Sequence, residues 1–253
     1  MRAATANDMP IVGMGRAQMQ RMDRHKGPIS STFTCPVAAK VALRPACVGC
    51  NGRPDSNQHR LDRGDVLVRQ SDPARHVFAI VSGWLREGAY DADGHTTSAR
   101  LIGPGQVLGL ASLTGGADAA PPRHLATITV LTPTRVCIIA ANDARAWLSV
   151  RPEEAFGLAL MAVGELDAMR HEMSLRALPA ELRVLALVED FVAADGGDAG
   201  RWTRLPATRE QLGEVLGLTL ETVSRMLQRL ARRGVIEVRG RDVRLVPTDS
   251  TKA

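Results

Sequence analysis

Aromatic residues make up only 3% of this 253-residue chain, and it has a single tyrosine. That scarcity argues against a platform on which the bases of a single strand would stack. No apolar run approaches the roughly 20 residues that a bilayer-spanning helix needs. The first thirty residues mix Met, Ala, Gly, Arg and Asp and lack the apolar core of a secretory signal. They read as a loosely ordered arm or an over-long start, and the chain reads as cytoplasmic, without membrane contact. The constellations of an enzyme are missing too. There is no nucleophile–base pairing, Walker loop or paired carboxylates in a plausible site, and the Gly103-x-Gly105 turn lacks the strand–helix context of a nucleotide fingerprint. Excess charge is absent from most of the chain: residues 1–200 carry 21 basic and 21 acidic residues.

What is present is concentrated at the end. Residues 201–253 hold eleven Lys+Arg against six Asp+Glu, so the whole net charge of +5 lies there. A local basic field suits a polyanion, because phosphate neutralisation releases counterions. The chain as a whole is 45% hydrophobic and 23% charged, a globular composition, and it is long enough for two domains.

Residues 31–54 hold three of the four cysteines among Pro36, Pro45, Gly49, Gly52 and Pro54, and read as a loop. From 59 to 140 short β-suited runs, such as Val66–Val68, Val77–Val81 and Leu125–Val130, alternate with Gly turns. This spacing suggests an antiparallel barrel or roll. Pro152 then starts a helix expected to reach Leu178, with Pro179 ending it. It carries two apolar stripes, Phe156, Leu160 and Val163, and Ala159, Ala162, Leu166, Met169 and Met173 at 3-4-3-4 spacing. One stripe is expected to cover the roll. The second suits the same helix of another subunit, although a helix buried wholly within one chain would also satisfy it. Another apolar helix is expected at 181–194, broken by Asp195-Gly196-Gly197-Asp198.

The basic segment has the clearest pattern. Thr208 can cap a helix ending at Leu216, with Gln211 at the capping-box position. Gly217 supplies a turn, and Thr219 caps a second helix from Leu220 to Arg232. Leu220, Val223, Leu227 and Leu230 are spaced to share a buried face, leaving Glu221, Ser224, Arg225, Gln228 and Arg232 opposite. Helix, Gly-containing turn, helix is the geometry that lays a second helix in a major groove. There Arg225 can contact guanine O6 and N7, Glu221 can accept from cytosine N4, and Ser224 can reach a base edge. Glu221 and Arg225 can also form an i,i+4 ion pair. Arg229, Arg232 and Arg233 read as phosphate contacts or solvated charge. Val235–Val246 alternates as a hairpin around Gly240, a wing with Arg239, Arg241 and Arg244 near the nucleic-acid backbone. The expected partner is double-stranded DNA, with Thr208, Thr219, Glu221, Ser224, Arg225, Gln228 and Arg229 as interface residues.

Over residues 59–246 the order roll, long helix, winged helix-turn-helix resembles the Crp/Fnr superfamily of bacterial regulators. The segment 216–227, with Glu221, Ser224 and Arg225 in a Glu-x-x-Ser-Arg pattern, is similar to the recognition segment of the Fnr branch. The resemblance implies an α+β fold. Its parts are an arm and cysteine-bearing loop (1–54), a β-roll sensor domain (55–150), a dimerisation helix (151–179) and a winged helix-turn-helix domain (180–253). It also implies a homodimer, palindromic sites with half-sites like TTGAT, and RNA polymerase as a partner. Rolls of this superfamily often bind a cyclic nucleotide through Gly-Glu and Arg-Ser pairs. Here Gly109-Leu110-Ala111 lacks the Glu and Arg123-His124-Leu125 lacks the Arg-Ser pair, so no cyclic nucleotide is expected.

Four cysteines, Cys35, Cys47, Cys50 and Cys137, are the number that holds a [4Fe–4S] cluster. Cys137 lies where the Fnr branch has a lone cysteine, just before the dimer helix, and the other three lie N-terminal, as in that branch. The order differs: Cys35 comes first and the Cys47-x-x-Cys50 pair follows after eleven intervening residues. The resemblance implies a cluster sensing oxygen or nitric oxide and controlling dimerisation. A zinc site on the same thiolates, unligated thiols, or a signalling protein with a small-molecule pocket in the roll remain open readings.

Overall fold

A computed structural model describes residues 58–114, 120–197 and 200–247. The first thirty residues and the loop carrying Cys35, Cys47 and Cys50 lie outside them. By internal contacts the chain divides into two compact units, one of residues up to 95 with 102–159, the other of 96–101 with 160 onward.

The first half is built from short strands: β1 (Gln58–Leu61), β2 (Val66–Val68), β3 (His76–Ser82), β4 (Leu85–Tyr90), β5 (Thr96–Ile102), β6 (Val107–Leu108), β7 (Thr127–Val130) and β8 (Thr134–Ala140). They form two four-stranded sheets, ordered β1-β8-β3-β6 and β2-β7-β4-β5. This is the expected antiparallel roll. Its core gathers Leu61, Leu67, Phe78, Ile80, Leu85, Ile102, Ile128, Val130, Val136 and Ile138. Because strand side chains alternate, Phe78 and Ile80 face inward with Val136 and Ile138. Ala79 and its partner Cys137, with Val77 and its partner Ile139, occupy the sheet's other face. The last strand of the second sheet starts at Thr127; Leu125, expected at its beginning, is 87% exposed.

Helix α1 (Ala141–Ser149) follows β8, burying Ala141 and Ala144. Helix α2 (Pro152–Leu175) begins at the expected proline with Glu153 and Glu154 in its first turn, where acidic groups favour a helix N-terminus. It stops at Leu175, short of the expected Leu178. Pro179 is not its terminator but the N-cap of helix α3 (Ala180–Ala194). The packing of α2 corrects a second expectation. Phe156, Leu160 and Val163, expected to be covered, are 66%, 56% and 54% exposed. Leu166, Met169 and Met173 are exposed as well, and no residue of α2 is buried. The flank that meets another element is the one carrying Glu165, which pairs with Arg100 of β5 at 3.2 Å, both within the second unit. At 100° per residue the two stripes adjoin and together span about half the helix circumference, an arc that the Asp167–Arg170 ion pair interrupts in the C-terminal half.

The rest of the second unit comprises α3, β9 (Thr203–Arg204), α4 (Arg209–Leu216), α5 (Leu220–Arg232), β10 (Ile236–Arg239) and β11 (Asp242–Leu245). Val184, Val188, Phe191 and Val192 of α3 are buried, as are Val223, Leu227 and Leu230 of α5. The strands form a small sheet ordered β10-β11-β9. The β10–β11 hairpin is the expected wing; its third strand had no visible signal in a run of two residues.

Candidate nucleic-acid interface

The two helices of the motif are closed at both ends by local chemistry. Thr208 Oγ1 accepts from the Gln211 backbone N–H (3.2 Å), and the Gln211 side chain accepts from the Thr208 N–H (2.9 Å), a complete capping box. Such a cap contributes about 1 kcal/mol. Gly217 ends α4 at φ 63°, a left-handed conformation that costs glycine nothing. Gly213 is needed for a different reason. A Cβ there would lie 2.5 Å from the Leu218 carbonyl oxygen, so only glycine lets the turn fold back on the first helix. Thr219 then caps α5, accepting from the Thr222 N–H at 3.2 Å.

On α5, Val223, Leu227 and Leu230 are each at most 1% exposed, and burying such side chains stabilises by roughly 1.5–3 kcal/mol apiece. Leu220, in the first turn of α5, departs from the expected face: it is 45% exposed. Glu221, Arg225, Gln228 and Arg232 are exposed, and Ser224 is half-buried among them. The structure therefore places the base-reading set on one accessible helical face. Arg225 donates to Thr222 Oγ1 (3.3 Å). The Glu221 carboxyl is held below the usual glutamate range, first by its own backbone N–H, then by the Thr219 hydroxyl and the nearby Arg225 charge. It is a carboxylate at neutral pH and can only accept, as a contact to cytosine N4 requires.

Several basic residues are engaged with the protein itself. Arg229 pairs with Glu181 of α3 (3.6 Å) while remaining 59% exposed. Arg241 donates to the Leu205 and Pro206 carbonyls, both at 2.9 Å. Arg239 and Arg244 lie over the ring of Trp202, at 4.5 and 5.0 Å from its centre, and Arg244 also pairs with Glu237. Trp202 escaped sequence reasoning, since a lone tryptophan just after the Gly-broken segment carries no periodic signal. So did Arg209, whose guanidinium reaches both Ser224 Oγ (3.4 Å) and the Gly240 carbonyl (3.5 Å). It thereby joins the recognition helix to the tip of the wing. Its position beside the cap of α4 was the only hint available.

Of the expected cluster ligands, Cys137 alone lies among the described residues. It is 3% exposed, in β8 between Gln58 and Ala79, on the face of the sheet opposite the hydrophobic core. In the roll, Gly109 leads into a 3-10 turn (Leu110–Leu113), and the Arg123 guanidinium donates to the Ser71 carbonyl at 2.6 Å. Of the residues expected at a dimer interface, Ala159, Leu166, Met169 and Met173 are exposed and Ala162 is half-buried. No helix among the described residues is long and apolar enough to cross a membrane.

A β-roll, a long helix with an uncovered apolar arc, and a winged helix-turn-helix with an accessible reading face define a DNA-binding regulator. Comparison with known proteins agrees. Residues 58–151 match the cyclic nucleotide-binding domain family, and residues 182–249 match the Crp-like helix-turn-helix domain family. Together these cover more than half of the chain, which belongs to the Crp/Fnr family of transcription regulators. It is 27% identical over 198 residues to the transcriptional regulatory protein btr of Bordetella pertussis, covering 76% of this chain and 78% of that one. It is 29% identical over 190 residues to the transcriptional activator protein FnrA of Stutzerimonas stutzeri, covering 74% and 75%. The structure of FixK2 from Bradyrhizobium japonicum shares the fold with a TM-score of 0.63 at 24% identity, covering 74% of this chain and 91% of that one. The btr and FnrA relatives are transcription regulators, and this chain is a transcription regulator rather than an enzyme.

Proposed function

We propose that the protein acts in the cytoplasm as a homodimer, that each α5 reads one half of a TTGAT-like palindrome, and that four cysteines make the dimer responsive to oxygen or nitric oxide. The observation that carries the reading is the accessible Glu221–Ser224–Arg225 face, held on a helix that buries Val223, Leu227 and Leu230 on its opposite side and whose start is capped. A helix so fixed presents its side chains without first having to order them.

Two-fold pairing follows from α2. An uncovered arc containing Leu166, Met169 and Met173, with the small residues Ala159 and Ala162 between, has the 3-4 spacing that packs against its own copy. Two subunits then supply two recognition helices, and the palindrome mirrors the dimer axis. RNA polymerase is the partner that a DNA-bound regulator of this family would engage.

Cys35, Cys47, Cys50 and Cys137 would hold a [4Fe–4S] cluster. The donor set fits: four thiols, of which Cys137 is directed to the outer face of the sheet rather than into the core. When bound, the cluster supplies sensitivity to oxidants. The chain's own contribution is to hold Cys137 in a rigid central strand, with α1 and then α2 following directly after β8. A change at Cys137 therefore acts close in sequence to the pairing helix. A shift of a few kcal/mol between paired and unpaired states would switch DNA affinity. For the roll we propose no cyclic nucleotide, since Arg123 is spent on Ser71 and no Arg-Ser pair awaits a phosphate.

The test uses protein purified without air. A broad absorption near 400 nm, a dimer by sedimentation and tight binding to a TTGAT palindrome are expected, with the last two lost on air exposure. Colourless protein containing zinc, or unchanged mass and affinity in air, would refute the sensing part. Binding that survives alanine at Glu221, Ser224 and Arg225 together would refute the reading face.

A further inference from the structure

The recognition helix has a flank as well as a reading face and a buried face. Counting 100° per residue from Glu221, Arg225, Gln228 and Arg232 stay within about 40° of it, while Arg229 and Arg233 lie at about 80° and 120°. Those two arginines, one turn apart, meet a single carboxylate. Glu181 accepts from Arg233 through Oε1 at 2.5 Å and pairs with Arg229 through Oε2 at 3.6 Å. Both oxygens are thus occupied by guanidinium groups of one helix and its C-cap residue, Arg233. The Glu181 side chain is only 15% exposed, whereas the arginines are 59% and 64% exposed.

Glu181 stands in the first turn of α3, two residues after its N-cap Pro179. Arg183, from the same turn, donates to the Leu216 carbonyl at the end of α4 (2.6 Å). One turn of α3 therefore grips both helices of the motif, the first by a cation at its C-terminus and the second by an anion on its flank.

We infer that Glu181 is a specificity-determining positioning residue of the DNA-binding module. It keeps Arg229 and Arg233 paired within the protein and fixes the rotation of α5 about its own axis. Each consequence sharpens sequence discrimination. Two arginines held by a carboxylate release no counterions from DNA, so they add nothing to the affinity that every duplex shares. A helix whose flank is pinned can offer Arg225 and Glu221 to base edges in one register only. Removing the charge frees two cations at the edge of the groove and loosens that register. The inference rests on the DNA-reading function proposed above.

The test compares full-length wild type, Glu181→Gln, Arg229→Gln/Arg233→Gln and the triple variant. Two duplexes serve as probes, one carrying two TTGAT half-sites a helical turn apart and one with the half-sites scrambled. Affinity is followed by anisotropy as KCl is varied. Glu181→Gln is expected to bind the scrambled duplex more tightly and to steepen its salt dependence by about one to two, at roughly 0.9 per freed cation. It should lower the ratio of specific to scrambled affinity about tenfold. In the triple variant the steepening should vanish. An unchanged slope and ratio in Glu181→Gln, or an equal loss on both duplexes with the thermal midpoint lowered, would overturn the inference. If wild type itself fails to distinguish the duplexes, the palindrome reading fails instead, and the slope on the scrambled duplex still judges the clamp.

Discussion

Two helices of this protein differ in how complete they are within one chain. Helix α5 has 13 residues, three of them essentially inaccessible, a capped start and arginines paired to α3. Helix α2 has 24 residues, none buried, with large apolar side chains from 40% exposed at Met169 to 71% at Met173. The first is finished by its own domain and leaves a polar face for DNA. The second leaves Phe156, Leu160, Val163, Leu166, Met169 and Met173 exposed over about half its circumference, a surface suited to another protein. Recognition is thus prepared in the single chain, and on the proposed reading pairing through α2 is what remains to be supplied.

The comparison breaks most severely at Leu166. Leu166→Glu places an uncompensated charge in each half of the proposed pairing surface, at a cost of about 3–5 kcal/mol. Sedimentation should report monomers, and palindrome binding should fall with them, while the fold of the monomer is retained. A deletion on the finished helix should do the opposite. Leu227→Ala removes a side chain that is 1% exposed and should cost about 2–5 kcal/mol in unfolding of the DNA-binding module, read by denaturant titration.

Smaller effects sharpen the contrast. Arg225→Ala should lose about 1–3 kcal/mol of discrimination per half-site with no change in stability or mass, measured on matched and single-base-altered duplexes. Thr208→Ala removes the capping box and should cost about 1 kcal/mol of thermal stability. A pH series addresses the roll. His76 and His124 are held below the usual histidine range mainly by burial, with the His124 charge also acting on His76. Their folded forms favour the neutral ring, so the unfolded chain binds more protons as pH falls below the ordinary value of 6.5. Roll stability should be full above that pH and decline as pH drops through the lowered values. Thermal midpoints of wild type and His76→Gln between pH 7.5 and 5.5 would check it, with a flatter profile for the variant.

The helix-turn-helix was legible because its signals are local. Thr208, Gln211, Gly217 and Thr219 act within three or four residues, and helix periodicity assigns Val223, Leu227 and Leu230 to one side. The same periodicity misplaced Leu220, because burial in a first turn depends on what lies beneath it. On α2 periodicity located both stripes correctly but could not say what each would face. The roll came from turn spacing, yet the role of Arg123 toward Ser71, 52 positions apart, had no local trace.

By itself, the order of residues settled the class of fold, the borders of the reading helix and the side chains it exposes, since caps, turns and 3.6-residue repeats are short-range physics. Only the folded arrangement decided that Glu181 meets Arg229 and Arg233, that Trp202 lies against two wing arginines, and that both stripes of α2 stay uncovered. Those pairings join side chains far apart along the chain, and distance in space is set by the packing of whole elements rather than by any neighbouring residue.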